Sequence, residues 1–190
     1  MFKGAVTFFL GNRLSLLDTM QLVLTCYRYR QRQLLAELRW LGDFRRTNFR
    51  DVIRGEVKDL EIFLEELEKR TPTSVSRVVP IENSFQFSPE RIVEEFREAV
   101  RPFLERIGKA ESICVRVKRR GLKGSFSSQR VAKEEGTFIF EALKERDGVE
   151  PRVDLEDPDK AVIFETLDKW CAVGTISKEM RRRNSYLKLP

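Results

Sequence analysis

Residues 112–133 read SICVRVKRRGLKGSFSSQRVAK. Apolar and polar side chains alternate from Ser112 to Lys118, a period of two that predicts a half-buried strand. A helical pattern begins near Ser128, with Val131, Ala132, Ile139, Phe140 and Leu143 on one face. The strand thus delivers a flexible loop, Arg119–Ser128, to a helix start. Arg116, Lys118, Arg119, Arg120, Lys123, Arg130 and Lys133 place seven positive charges here without one acid. Hydroxyls such as that of Ser128, and unpaired N–H groups at a helix start, add anion-binding capacity to that charge. A solvated loop would also read this way. Segregation of charge along the rest of the chain favours a phosphate-contacting surface.

Moving outward, eight arginines in residues 28–54 face only Glu37, Asp43 and Asp51. Within that zone Arg28, Arg30 and Arg32 surround Tyr29, which suits RNA backbone contact and base stacking, or equally a solvated helix start. The end of the chain is basic again through Lys178, Arg181, Arg182, Arg183 and Lys188, offset by Glu179. Acidic stretches separate these three zones. A folded body with a basic face turned toward nucleic acid fits the pattern.

Composition removes several classes of chemistry. The chain has 190 residues, 41% of them hydrophobic, enough for one large or two small domains with a core. It contains no histidine, which excludes Ser-His and Cys-His nucleophile pairs and imidazole metal ligands. Cys26, Cys114 and Cys171 lack metal-site spacing and read as buried thiols, although Cys114 and Cys171 could lie on neighbouring strands. Asp154, Asp157 and Asp159 could hold a hard cation, but a turn whose carboxylates cap amides is favoured, so no metal is assigned. No P-loop or GxGxxG motif is present, and no cofactor is expected. No apolar run reaches membrane-span length, and Phe2–Leu10 makes a poor signal peptide. A cytoplasmic protein is expected, and the 35% charged content suggests a thermophile.

The order of elements gives the fold class, α/β in the α+β sense. Residues 1–19 read as an extension outside the fold. Residues 20–83 read strand, helix, strand, strand, helix, strand, the ferredoxin-like βαββαβ order. Its helices take Leu34, Leu35 and Leu38, then Leu60, Ile62, Phe63, Leu64 and Leu67 after a cap at Asp59. Residues 82–88 read as a linker. Ser88 followed by Pro89 predicts a helix start, and Pro102 predicts a break with a second short helix to Ile107. The 112–118 strand, the helix containing Gly136, and strands at 152–155, 161–167 and 170–176 complete a module over 84–177. Residues 178–190 read as a basic tail. Residues 84–190 are expected to close a core of their own.

The strand Ile113–Gly121, the helix with Gly136, the segment Val153-Asp-Leu-Glu-Asp-Pro-Asp159 and the strand Ala161–Leu167 together resemble a THUMP domain. The stretch Trp170–Met180, with Arg183 and Leu187, is similar to the end of the stand-alone THUMP proteins that assist formation of N4-acetylcytidine in tRNA. The resemblance implies binding at the acceptor end of tRNA and a partner enzyme, a tRNA cytidine acetyltransferase. It further implies that the chain is itself a non-catalytic accessory subunit. A general RNA-binding module without a dedicated enzyme is the alternative.

Overall fold

The computed structural model describes residues 19–190, so the extension expected at residues 1–19 lies, apart from Thr19, outside the described residues. Its first sheet is built from β1 (Met20–Cys26), β2 (Asp43–Arg46), β3 (Val52–Val57) and β4 (Val75–Ile81). The order is β2-β3-β1-β4, with every pairing antiparallel. Two helices, α1 (Gln31–Leu38) and α2 (Leu60–Arg70), complete the βαββαβ unit. This is the ferredoxin-like arrangement. Asp59 caps α2 by accepting from the Ile62 N–H at 3.0 Å. Period-two alternation in β1 divides its side chains between two cores. Leu22, Leu24 and Cys26 join Leu34, Leu38, Phe63 and Leu67 under the helices, while Val23 points the other way, toward Val52, Ile81, Leu167 and Ala172.

The second sheet has the order β5-β9-β8-β6-β7, from β5 (Asn83–Gln86), β6 (Ser112–Arg120), β7 (Arg152–Val153), β8 (Lys160–Leu167) and β9 (Trp170–Ser177). β6 runs parallel to both β7 and β8, and the remaining pairings are antiparallel. Helices α3 (Ile92–Leu104) and α4 (Ser128–Asp147) cover one face. There Phe96 stacks on Phe164 with ring centroids 4.4 Å apart, among Val100, Phe103, Val131, Ile139 and Leu143.

Several expectations are corrected. Residues 83–86 form an edge strand on β9 and are not a linker. Arg91 occupies the N-cap of α3, while Ser88 lies ahead of it and donates its N–H to the Glu95 carboxylate at 2.9 Å. One helix runs through Pro102, because its buried face outweighs the one lost hydrogen bond near its end. Arg146 of α4 supplies donors to that end, reaching the carbonyls of Leu104 at 2.5 Å and Ile107 at 2.8 Å. Cys114 and Cys171 lie on β6 and β9, which β8 separates, and all three thiols are free and buried.

The two sheets are fastened at β4 and β9. A Cβ at Gly174 would lie 2.0 Å from the Pro80 carbonyl oxygen, so only glycine permits this approach. Glu82 donates its N–H to the Val173 carbonyl at 3.0 Å, and its carboxylate accepts from the N–H and hydroxyl of Thr175. Residues 178–190 are no free tail. They form a short helix, α5 (Lys178–Arg183), and then return to the first unit. Asn184 donates to the Leu64 carbonyl at 3.0 Å, Val78 donates to the Tyr186 carbonyl at 2.9 Å, and Tyr186 and Leu187 are buried. Cys114, Ala161, Ile163 and Ile176 share that first core. Residues 84–190 thus hold one core of their own under α3 and α4, while the other face of their sheet shares the core of the first unit.

Candidate nucleic-acid interface

Parallel pairing of β6 and β8 brings their carboxyl ends to one edge of the sheet, where Lys118, Arg119 and Arg120 stand opposite Glu165, Thr166 and Leu167. Carboxyl ends of parallel strands are common ligand sites, because the loops that follow them converge there. Lys118 and Arg120, two residues apart, face the first unit together. With Thr25, Ser76, Arg77 and Lys188 they line a cleft of about 290 Å³. Arg120 donates to the Thr25 hydroxyl at 3.0 Å and pairs with Glu165, which also pairs with Arg77. Glu165 has 0% exposure and bridges both arginines, so the buried group carries one surplus positive charge. Burial holds the Arg77 guanidinium below its ordinary pKa; Glu165 opposes this shift and Arg120 adds to it. Lys118 and Lys188 make no ion pair among the described residues. This cleft has cations from both units and one buried acid.

Arg119 points to the other side, its guanidinium 5.7 Å from the Phe126 ring centre and bonded to the Gly121 carbonyl at 3.0 Å. The basic loop is pinned, contrary to the flexible reading. Phe126 is buried edge-on against Phe87, and Gly121, at φ +80°, leaves no room for a Cβ beside Asp168. Ser127 caps α4, and Ser128 is its half-buried first residue. Lys123 and Lys133 are exposed, and Arg130 pairs with Glu134 at 3.3 Å.

Other candidates lie apart from the cleft. Arg28, Arg30 and Arg32 are exposed at the β1–α1 connection, with Arg30 donating to the Thr73 carbonyl at 2.9 Å. On α5, Arg182 and Arg183 are exposed, but Lys178 and Arg181 are engaged. Both pair with Asp157, at 2.6 and 2.9 Å, and Arg181 also reaches the Pro158 carbonyl. They hold the Asp157 carboxyl below its usual range. Asp154 accepts from the amides of Glu156 and Asp157, which makes this segment the amide-capped turn. Asp159 is lowered to about 2 by the Ser112 N–H and hydroxyl, with Arg152 assisting. Among the described residues no His/Cys/Asp/Glu group has the arrangement of a metal site, and no helix is long and apolar enough to cross a membrane.

Sequence reasoning missed three members of the cleft. Arg77 reads as one polar residue in an apolar strand, Glu165 as one acid in an acidic stretch, and Lys188 as part of a tail. Only the long-range fold unites them.

Residues 88–175 match the model of the THUMP domain, and a THUMP domain is present there. No curated protein matches the chain. Among solved structures it is similar to TrmN from Thermus thermophilus, at 23% identity and TM-score 0.59, over 82% of this chain and 45% of that one. A "possible methylase" from Clostridium difficile 630 is similar at 13% identity and TM-score 0.60, over 82% and 40%. A "predicted N6-adenine-specific DNA methylase" from Listeria monocytogenes str. 4b F2365 is similar at 15% identity and TM-score 0.56, over 84% and 40%. The chain thus spans less than half the length of each. These comparisons overturn the expectation of a non-catalytic accessory subunit, because proteins sharing this fold are described as methylases, which are enzymes.

Proposed function

We propose that this chain, with its THUMP domain over residues 88–175, binds tRNA at the acceptor end and presents it to an acetyltransferase that forms N4-acetylcytidine. The observation that carries the RNA-binding part is the cleft between the two sheets. Lys118, Arg120, Arg77 and Lys188 converge there from three separate segments, with Glu165 the single acid among them. Phosphate oxygens are the chemistry such a cleft takes, and phosphate contacts fix position more than sequence. In this reading residues 20–83 and 84–177 act as two modules clamping one RNA. Lys123, Arg130, Lys133, Arg28, Arg30, Arg32, Arg182 and Arg183 extend the contact outward. Similarity to the stand-alone THUMP proteins in the stretch Trp170–Met180 supports the acetylation part.

Binding is tested by salt titration of a K118A/K123A/K188A variant, chosen because these lysines make no ion pair among the described residues. The variant should bind tRNA at least about tenfold more weakly, with a log–log salt slope shallower by roughly 2 to 3 for three lost phosphate contacts. An unchanged slope sinks the cleft as the RNA site.

The second expected result concerns acetylation. With tRNA, acetyl-CoA and ATP, a tRNA cytidine acetyltransferase should form N4-acetylcytidine many-fold faster when this chain is added, and K118A/K123A/K188A should abolish the gain. A rate indifferent to the chain removes the acetylation reading and leaves a general RNA-binding module.

A further inference from the structure

Among the described residues the aromatic side chains are buried, half-buried or partnered, apart from Tyr27 and Tyr29. No phenylalanine among the described residues is exposed, and Tyr186 is buried. Trp40 is 47% exposed, but Arg70 lies 3.7 Å over its ring and its indole N–H donates to the Glu37 carbonyl. Tyr27 and Tyr29 are 51% and 77% exposed. Among the described residues neither ring stacks on an aromatic or a guanidinium, and neither hydroxyl is hydrogen-bonded.

The backbone holds these rings out in a fixed way. Tyr29 sits at φ +64°, the left-handed region where a bulky side chain is strained and glycine or asparagine is the usual occupant. The surroundings enforce that conformation. Tyr27 donates its N–H to the Ser74 carbonyl, Arg30 closes the turn onto the Tyr27 carbonyl, and the Arg30 guanidinium is anchored on the Thr73 carbonyl. Strain held by such a network is a mark of function.

Position supplies the rest. Tyr27 lies two residues beyond Thr25, which lines the basic cleft and accepts from Arg120. Arg28, Arg30 and Arg32 flank the rings, all exposed. The strand that lines the cleft thus continues into two unpartnered π faces with exposed arginines beside them, the composition that single-stranded nucleic acid requires. A closed A-form helix offers no base face to such rings, whereas an unpaired end does.

We infer that Tyr27 and Tyr29 form a stacking platform for the unpaired bases at the end of the bound RNA. The inference rests on the RNA-binding reading above and adds what distinguishes an end from a duplex. Arg28 and Arg32 neutralise the phosphates between the stacked bases.

The test compares the intact tRNA with the same tRNA lacking its terminal unpaired nucleotides, in titrations of the full chain. Y27A/Y29A should bind the intact tRNA at least about tenfold more weakly, from the loss of base–aromatic stacking. It should bind the shortened tRNA as the parent chain does, with the same salt slope. Y27F/Y29F keeps the rings and should bind both RNAs normally. Equal losses on both RNAs, no loss in Y27A/Y29A, or a loss in Y27F/Y29F would overturn the platform. Cross-linking to the unaltered chain covers the case of a misfolded variant. An RNA carrying 4-thiouridine at its last unpaired position should label residues 27–30, and labelling confined to other segments overturns the inference. If the parent chain binds neither RNA in a salt-dependent way, the underlying RNA-binding reading falls as well, a result distinct from all the others.

Discussion

Replacing Glu165 by alanine should lower the stability of the folded chain by about 3–5 kcal/mol, the usual cost of removing one partner from a buried ion pair. The reason is local. Glu165 is fully buried between Arg77 and Arg120, and these guanidiniums have side-chain exposures of only 9% and 12%. Without the carboxylate, two like charges face each other where water reaches poorly, and the β4 and β6 strands that carry them are driven apart. Chemical denaturation measures the loss, and a shift under about 1 kcal/mol would show that the cleft is wetter than its burial indicates. Replacing all three groups by apolar residues of similar volume, as in R77M/E165L/R120M, should leave stability near that of the parent chain. RNA binding should nonetheless collapse, because the cleft then retains only Lys118 and Lys188. The pair of variants separates the structural role of the acid from the binding role of the arginines.

Glu135 has the second large expected effect, and it depends on pH. It lies on α4 facing α3 with 0% exposure, and neither carboxylate oxygen has a hydrogen-bond partner. Arg97 of α3 approaches only to 3.9 Å, while the Phe138 ring occupies the guanidiniums of Arg97 and Arg101 at 5.2 and 5.3 Å. Burial raises this carboxyl from 4.5 to about 7, Arg97 opposing and neighbouring Glu134 reinforcing the rise. The folded chain therefore holds a proton that the unfolded chain releases between pH 4.5 and 7. Stability from this group is present at low pH and is lost as pH rises through 7. Between about pH 5 and 8 the loss should be about 2–3 kcal/mol. Glutamine at position 135 cannot ionise, so E135Q should match the parent near pH 5 and exceed it at about pH 8. Thermal midpoints at the two pH values measure this, and a variant that tracks the parent across the range refutes it. Asp159 works in the opposite direction. Its carboxyl, lowered to about 2, adds stability above the ordinary aspartate range that disappears only as pH falls toward 2.

Much of the fold was legible because local signals agreed with the final packing. The strand at 112–118, the Asp59 cap and the leucines of α1 and α2 each survive into the structure, although β6 is buried on both faces over Ser112–Val115 where its alternation predicts a half-buried strand. Failures cluster where distant residues decide. Residues 83–86 look like a linker because their polar pattern suits an edge strand, and only pairing with β9 makes them one. Pro102 breaks an isolated helix, but Phe103 is buried on the far side of it and holds the final turn in place. Glu135 reads as one more surface acid in a charged helix until α3 covers it. Charge counting found the β6 strand and its loop, but could not separate arginines that reach solvent from those already held. Lys178 and Arg181 look no different in sequence from Arg182 and Arg183, yet the Asp157–Pro158 turn holds the first two, while among the described residues Arg183 pairs only with Glu179 on its own helix.

The return of residues 184–187 to the first unit has a consequence for how the chain matures on the ribosome. β4 is an outer strand of its sheet, and Val78 in that strand finds its acceptor on Tyr186. During synthesis the first unit emerges with this strand border bare, and an unpaired border invites association with other chains. Asn184, which fastens the same end to Leu64, is 120 positions later in the chain. Closing such a span is slow compared with local helix formation. The nascent protein is thus most vulnerable in the interval after residues 20–177 have been made and before residues 184–187 have emerged to clasp them.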